Sequence, residues 1–208
     1  MTIELYLTDG TRARFVAEPE RTATQELQEQ VRTGRVFSQP SLVVAHDAAV
    51  QVFPGTALAR IDLIVEQSST EAATLRSGFL PDGVVQRELR GEEWKRRADE
   101  HRATGKTRRD HLGSVEGTPV TGLGWLQLLG GHTAAFEFTL PRPSEMDQRR
   151  FLQHFFSMAT YPFERIGGGL AVVNPARVVA SEFLPGAEPP QGSWFARPAG
   201  WERVGVPG

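Results

Sequence analysis

Hydrophobic and polar positions alternate with period two at the start of the chain, and the pattern predicts a hairpin. Ile3, Leu5 and Leu7 are interleaved with Glu4, Tyr6 and Thr8, and Ala13 and Phe15 with Arg12 and Arg14. Asp9-Gly10 marks the turn between the two runs. A two-residue loop would place apolar residues opposite charged ones. A three-residue loop, Thr8-Asp9-Gly10, sets Leu5 against Ala13 and Ile3 against Phe15. That choice gives one apolar face, with Gly10 in the left-handed position.

The same pattern returns 121 residues later. Leu126, Leu128, Gly131, Ala134 and Phe136 stand where Leu5, Leu7, Gly10, Ala13 and Phe15 stood. A loop over residues 129–131 again gathers the apolar side chains on one face, which Phe138 and Leu140 extend.

Each hairpin is followed by a helix signal. In the first copy Thr22 and Gln25 suit a capping box, Ala23, Leu27 and Val31 recur every four residues, and Gly34 suits the C-cap. In the second, Ser144 and Asp147 match the helix-start signature. Phe151, Leu152, Phe155 and Phe156 then form an apolar stripe. The second helix is the more apolar and is expected to be the more buried.

Residues 41–50 then align with 169–178, with Leu, Val, Ala and Val identical at four places. His46-Asp47 and Asn174-Pro175 fall at the turns of two further hairpins. The first copy adds a strand over 59–66, and the second ends sooner, near Phe183. The expected fold is α+β: an internal duplication of an antiparallel β-hairpin–helix–β-hairpin unit, packed as a pseudo-dimer. The expected divisions are a first repeat at 1–67, a charged connector at 68–118, a second repeat at 119–184 and a tail at 185–208.

The connector holds the charge. Residues 86–110 carry nine basic and six acidic side chains, whereas the whole chain is near neutral, at −2. Glu92 and Glu93 precede Arg96 and Arg97 by four, which predicts a solvated helix over 92–103. Residues 77–83 read as loop. The tail is rich in Pro and Gly but holds Trp194, Phe195 and Trp201, and is expected to lie across the body.

The chain has no Cys, which excludes disulfides, thiol nucleophiles and thiolate metal sites. The first residues lack the pattern of a signal peptide and no run suits a membrane span, so a cytoplasmic location is expected. Nucleophile and phosphate-loop motifs are missing. Gly167-Gly168-Gly169 precedes a strand and suits a hairpin entry. His46, His101, His111, His132 and His154 lack metal-ligand spacing, and no pair of carboxylates is set for hydrolysis. No catalytic residue, metal ligand or cofactor is therefore assigned.

These features favour a non-enzymatic binding or assembly module acting through a protein partner or self-association. One alternative is an accessory protein that binds nucleic acid weakly through Lys95, Arg96, Arg97, Lys106, Arg108 and Arg109, with Trp94 stacking on a base. Another is an enzyme whose site lies between the repeats.

Overall fold

The computed structural model describes residues 1–17, 22–46, 49–80, 83–104, 119–140 and 151–185. Its fold is mixed α+β. The strands are β1 (Thr2–Leu7), β2 (Arg12–Val16), β3 (Ser41–His46), β4 (Ala49–Pro54), β5 (Leu58–Ile64), β6 (Val85–Glu88), β7 (Val120–Leu128), β8 (Thr133–Leu140), β9 (Tyr161–Glu164), β10 (Leu170–Val173) and β11 (Val178–Leu184). The helices are α1 (Thr22–Arg32), α2 (Arg35–Ser38), α3 (Thr70–Phe79), α4 (Gly91–Thr104) and α5 (Phe151–Ser157). Among the described residues nine strands form one sheet in the order β11-β7-β8-β6-β9-β10-β5-β1-β2, and β3-β4 form a separate two-stranded ribbon. The described neighbours pair antiparallel except β6 and β9, which meet in parallel at Arg87 and Glu164.

The two leading hairpins have the predicted registers. Ile3 faces Phe15 and Leu5 faces Ala13. In the second, Leu126 faces Ala134 and Gly124 faces Phe136. Both turns close alike: the Leu7 amide donates to the Thr11 carbonyl at 2.9 Å, and the Leu128 amide to the His132 carbonyl at 2.8 Å. The tips of the two hairpins touch. His132 Nε2 lies 3.0 Å from the Leu7 carbonyl, and Gly130 packs so close to that carbonyl that a Cβ would stand 2.6 Å from it.

Each three-stranded set also ends alike. A short 3₁₀ turn, Gly55–Ala57 or Pro175–Arg177, leads into the strand that returns to the first. The Thr8 amide donates to the Ala57 carbonyl at 2.9 Å, and the Leu129 amide to the Arg177 carbonyl at 2.8 Å. Leu58 then pairs with Leu7 and Arg60 with Tyr6, leaving Ala59 as a bulge. Val178 pairs with Leu128 and Ala180 with Gln127, leaving Val179 as a bulge.

Three corrections follow. Residues 169–178 are not a hairpin, since β10 pairs with β9 and β5 while β11 pairs with β7. Asn174 makes the difference. Its Oδ1 accepts from the Ala176 amide, which starts the 3₁₀ turn, and its amide and Nδ2 hold the Ala59 and Leu58 carbonyls. Residues 77–79 are helix rather than loop, because Ser69 caps α3 by accepting from the Ala72 amide at 3.1 Å. The two sets also run in the same direction along the sheet, as β11-β7-β8 and β5-β1-β2. A half-turn between side-by-side units would reverse that order.

The first core lies on one face of β1, β2, β5 and β10 beneath α1, α2, α3 and the ribbon, and includes Leu5, Val31, Val36, Leu42, Ile61 and Leu63. The second joins Leu126, Phe136, Phe155, Phe163 and Phe183 with Ala171 and Val173, on the opposite face of β10. A third cluster puts Trp94 and Ala98 of α4 on Leu123 and Ala135. The α5 stripe divides: Phe155 is buried, while Phe156 is exposed. Gly34 takes its predicted place, at φ +76°, with its amide donating to the Val31 carbonyl. Residues 141–150 and the tail from 186 onward lie outside the described residues.

Candidate interaction surface

The β3-β4 ribbon pairs Val43 with Val52, Val44 with Gln51 and Ala45 with Val50. Side chains alternate between its faces. Leu42, Val44 and Phe53 point into the first core, where the Phe53 ring meets Phe15 edge-on at 5.8 Å. Val43, Ala45, Val50 and Val52 point the other way. Val43, Val50 and Val52 are 57%, 63% and 58% exposed. Residues 36–59 contain one formal charge, Asp47, in a chain that is 23% charged. Solvent-facing strand surfaces normally carry charges that block adventitious pairing, and this one does not.

The inner face of β5 and β1 holds a second feature, a network of charges. Arg60 donates through Nε to Asp62 Oδ1 at 2.6 Å and through Nη2 to Asp62 Oδ2 at 2.9 Å. The same Nη2 donates to Glu88 of β6 at 2.7 Å, and Glu88 also accepts from the Ile166 amide. Arg165 Nε stands 2.7 Å from Asp62, a charge contact whose angle falls short of a hydrogen bond. The Tyr6 hydroxyl donates to Glu4 and Asp62, each at 3.2 Å, and Arg12 and Arg14 lie 3.8 and 3.7 Å from Glu4. The Arg60 guanidinium also stacks over Tyr6 and Phe163.

Burial acts to lower the Arg60 pKa, but Asp62 and Glu88 outweigh it and the guanidinium is held charged, above its ordinary value. Burial pushes the Asp62 carboxyl up, against the pull of Arg60 and Arg165. Asp62 has no exposed surface. Its oxygens are already bound, which suits a lock between β5, β1 and β6 better than a group that meets a substrate.

A cleft of about 310 Å³ lies between α3 and the β9-β10 turn, lined by Ser69, Arg76, Glu164, Arg165 and Gly168 among others. The triple glycine, all three at positive φ, precedes β10 but lies in the turn of the β9-β10 hairpin, not at the entry to a hairpin over 169–178. The Arg76 guanidinium donates to Glu164 within this cleft.

No known protein family, curated protein or solved structure matches this chain.

The basic residues singled out in the sequence are scattered in role. Trp94 is 9% exposed, packed on Trp125 and covered by the Arg102 guanidinium, so its ring is not presented for stacking on a base. Arg96 pairs with Glu100, and Arg97 pairs with Glu93 and with Glu137 of β8. Lys95 is exposed on α4. Lys106, Arg108 and Arg109 lie outside the described residues. Of the histidines, His132 touches the first hairpin and His154 is exposed on α5. No group of three His, Asp or Glu among the described residues could hold a metal ion. No helix among them is long and apolar enough to cross a membrane.

Sequence reasoning passed over both the valine face and the charge network. The signal for the network was present: Arg60 and Asp62 interrupt a strand that is otherwise apolar from Leu58 to Ile64.

Proposed function

We propose that the chain is a binding and assembly module built from two copies of one unit, and that the outer face of the β3-β4 ribbon is its contact surface. The duplication is supported by the matching hairpin turns, the matching 3₁₀ turns and the bulges at Ala59 and Val179, which fall at equivalent places in β5 and β11. Counting back 120 residues from β10 and β11 gives β4 and β5. The β9-β10 hairpin is then the second unit's version of the β3-β4 ribbon.

One observation carries the binding reading. Val50 and Val52 are 63% and 58% exposed, while their counterparts Leu170 and Val172 are 1% and 0% exposed. Leu170 and Val172 are buried because β10 lies against β5 of the first unit. The first unit offers the same kind of surface to solvent. An apolar strand face of this sort is what a partner covers in β-sheet recognition.

The test is capture with a tagged chain, with an untagged copy and the host's other proteins both present. A stoichiometric companion should be recovered with the native ribbon and lost with Val50→Lys/Val52→Lys. No companion in either case would defeat the proposal.

A further inference from the structure

We infer that a second copy of the chain docks its strand β11 along β4, head to tail, repeating between chains the contact that β10 makes with β5 within one. The inference rests on the duplication proposed above and names the partner of that surface. Within the chain, Leu170 faces Leu63, Ala171 faces Asp62, Val172 faces Ile61 and Val173 faces Arg60. Moving each residue back or forward by the repeat offset gives the contact between chains. Val50 faces Phe183, Gln51 faces Glu182, Val52 faces Ser181 and Phe53 faces Ala180.

The two halves of this contact lie on different sheets of the chain. Among the described residues β11 is the terminal strand of the nine-stranded sheet, and the ribbon is a sheet of two strands by itself. Val50 and Val52 would join Phe183 at the edge of the second core, as Leu170 and Val172 join Leu63 and Ile61 in the first. Glu182 is paired within its own chain with Arg102, and the side formed by Val50, Val52, Ser181 and Phe183 lacks the charges that steer encounters between unlike proteins, whereas apolar contact surfaces are common where copies of one chain meet. The surface given by each copy differs from the one it receives, so the contact repeats and yields a ring or an open chain of copies.

The absence of Cys makes the register directly testable. Directly opposed residues on antiparallel strands have Cα atoms about 4.5–5.5 Å apart, within the span of a disulfide. Full-length Val52→Cys and Ser181→Cys chains, mixed and oxidised mildly, should form a disulfide-linked pair of one chain of each kind. Light scattering across a concentration series should show wild type above monomer mass. Val50→Lys/Val52→Lys should lose that species while its circular dichroism and urea midpoint stay unchanged, because both side chains are already exposed. A Val52→Cys chain that links only to itself overturns the inference in favour of ribbons packed face to face. A wild type that is monomeric at every concentration, with no mixed disulfide, also overturns it. Ribbon-dependent capture of some other protein would then leave the binding reading standing, and capture of nothing would remove both.

Discussion

The Phe136 ring occupies the space that a side chain at Gly124 would fill. The two residues face each other across β7 and β8, and a Cβ at Gly124 would stand 2.2 Å from the ring's Cζ. Glycine opposite an aromatic residue lets the ring lie over the neighbouring backbone. Gly124→Ala should therefore overpack the second core and cost roughly 1–3 kcal/mol. Urea denaturation checks this, and the cost should shrink in a Phe136→Leu background, where the ring is gone.

Arg60 is the hub of the inner charge network. Arg60→Met keeps much of the bulk but leaves Asp62 and Glu88 without their shared guanidinium. Removing one partner of a buried ion pair costs about 3–5 kcal/mol. The urea midpoint should fall accordingly. A change below about 1 kcal/mol, the range of exposed pairs, would show that water already reaches the network.

Tyr161 sets an alkaline limit. Burial pushes its phenol above the ordinary value of 10.0. Burial, and then the Asp62 carboxylate, also raises Tyr6, against the opposing pull of Arg60 and Arg12. A group raised on folding contributes stability that is complete below the unfolded pKa and is lost as pH rises above it. Stability should be flat in this respect up to about pH 10 and then fall by about 1.4 kcal/mol per pH unit from Tyr161. Urea midpoints from pH 8 to pH 11 should show a shallower fall in Tyr161→Phe than in wild type.

Asn174 turns the chain away from β10 and toward β11. Asn174→Ala removes the acceptor for the Ala176 amide and the donor to the buried Leu58 carbonyl. Unsatisfied buried groups of this kind cost about 1–3 kcal/mol. Hydrogen exchange should show the Ala176 amide losing protection in the variant.

The hairpins were legible because their information is local: period two in the strands, Asp-Gly or Gly-Gly at the turn. The α4 helix was legible from its spaced charges, and it spans Gly91–Thr104 against the expected 92–103, but it is not the solvated helix expected, since Trp94 and Ala98 are buried against β7 and β8. Asn174-Pro175 misled because a hairpin turn and a 3₁₀ entry use the same short-range chemistry. What separates them is β11 pairing with β7, some fifty residues upstream. β6 sits centrally in the sheet, yet its four residues carry too short a pattern to announce a strand. Val43 and Val44 are adjacent, so the ribbon sequence alone did not say which side faces water. The i,i+2 spacing in β5 brings Arg60 and Asp62 together, but their further partners Tyr6, Glu88 and Arg165 come from β1, β6 and the β9-β10 turn, which no spacing in β5 could foretell.

The joining of β10 to β5 also imposes a schedule on synthesis. β5 is complete at residue 64, but the strand that covers its outer edge begins at residue 170. At ribosomal rates of about 5–20 residues per second, the edge waits roughly 5–20 s for its partner. Leu63, Ile61 and the core beneath them spend that interval beside an unfilled strand position. A nascent chain halted before residue 170 should therefore engage holding chaperones, and a full-length chain should release them once β10 closes the gap.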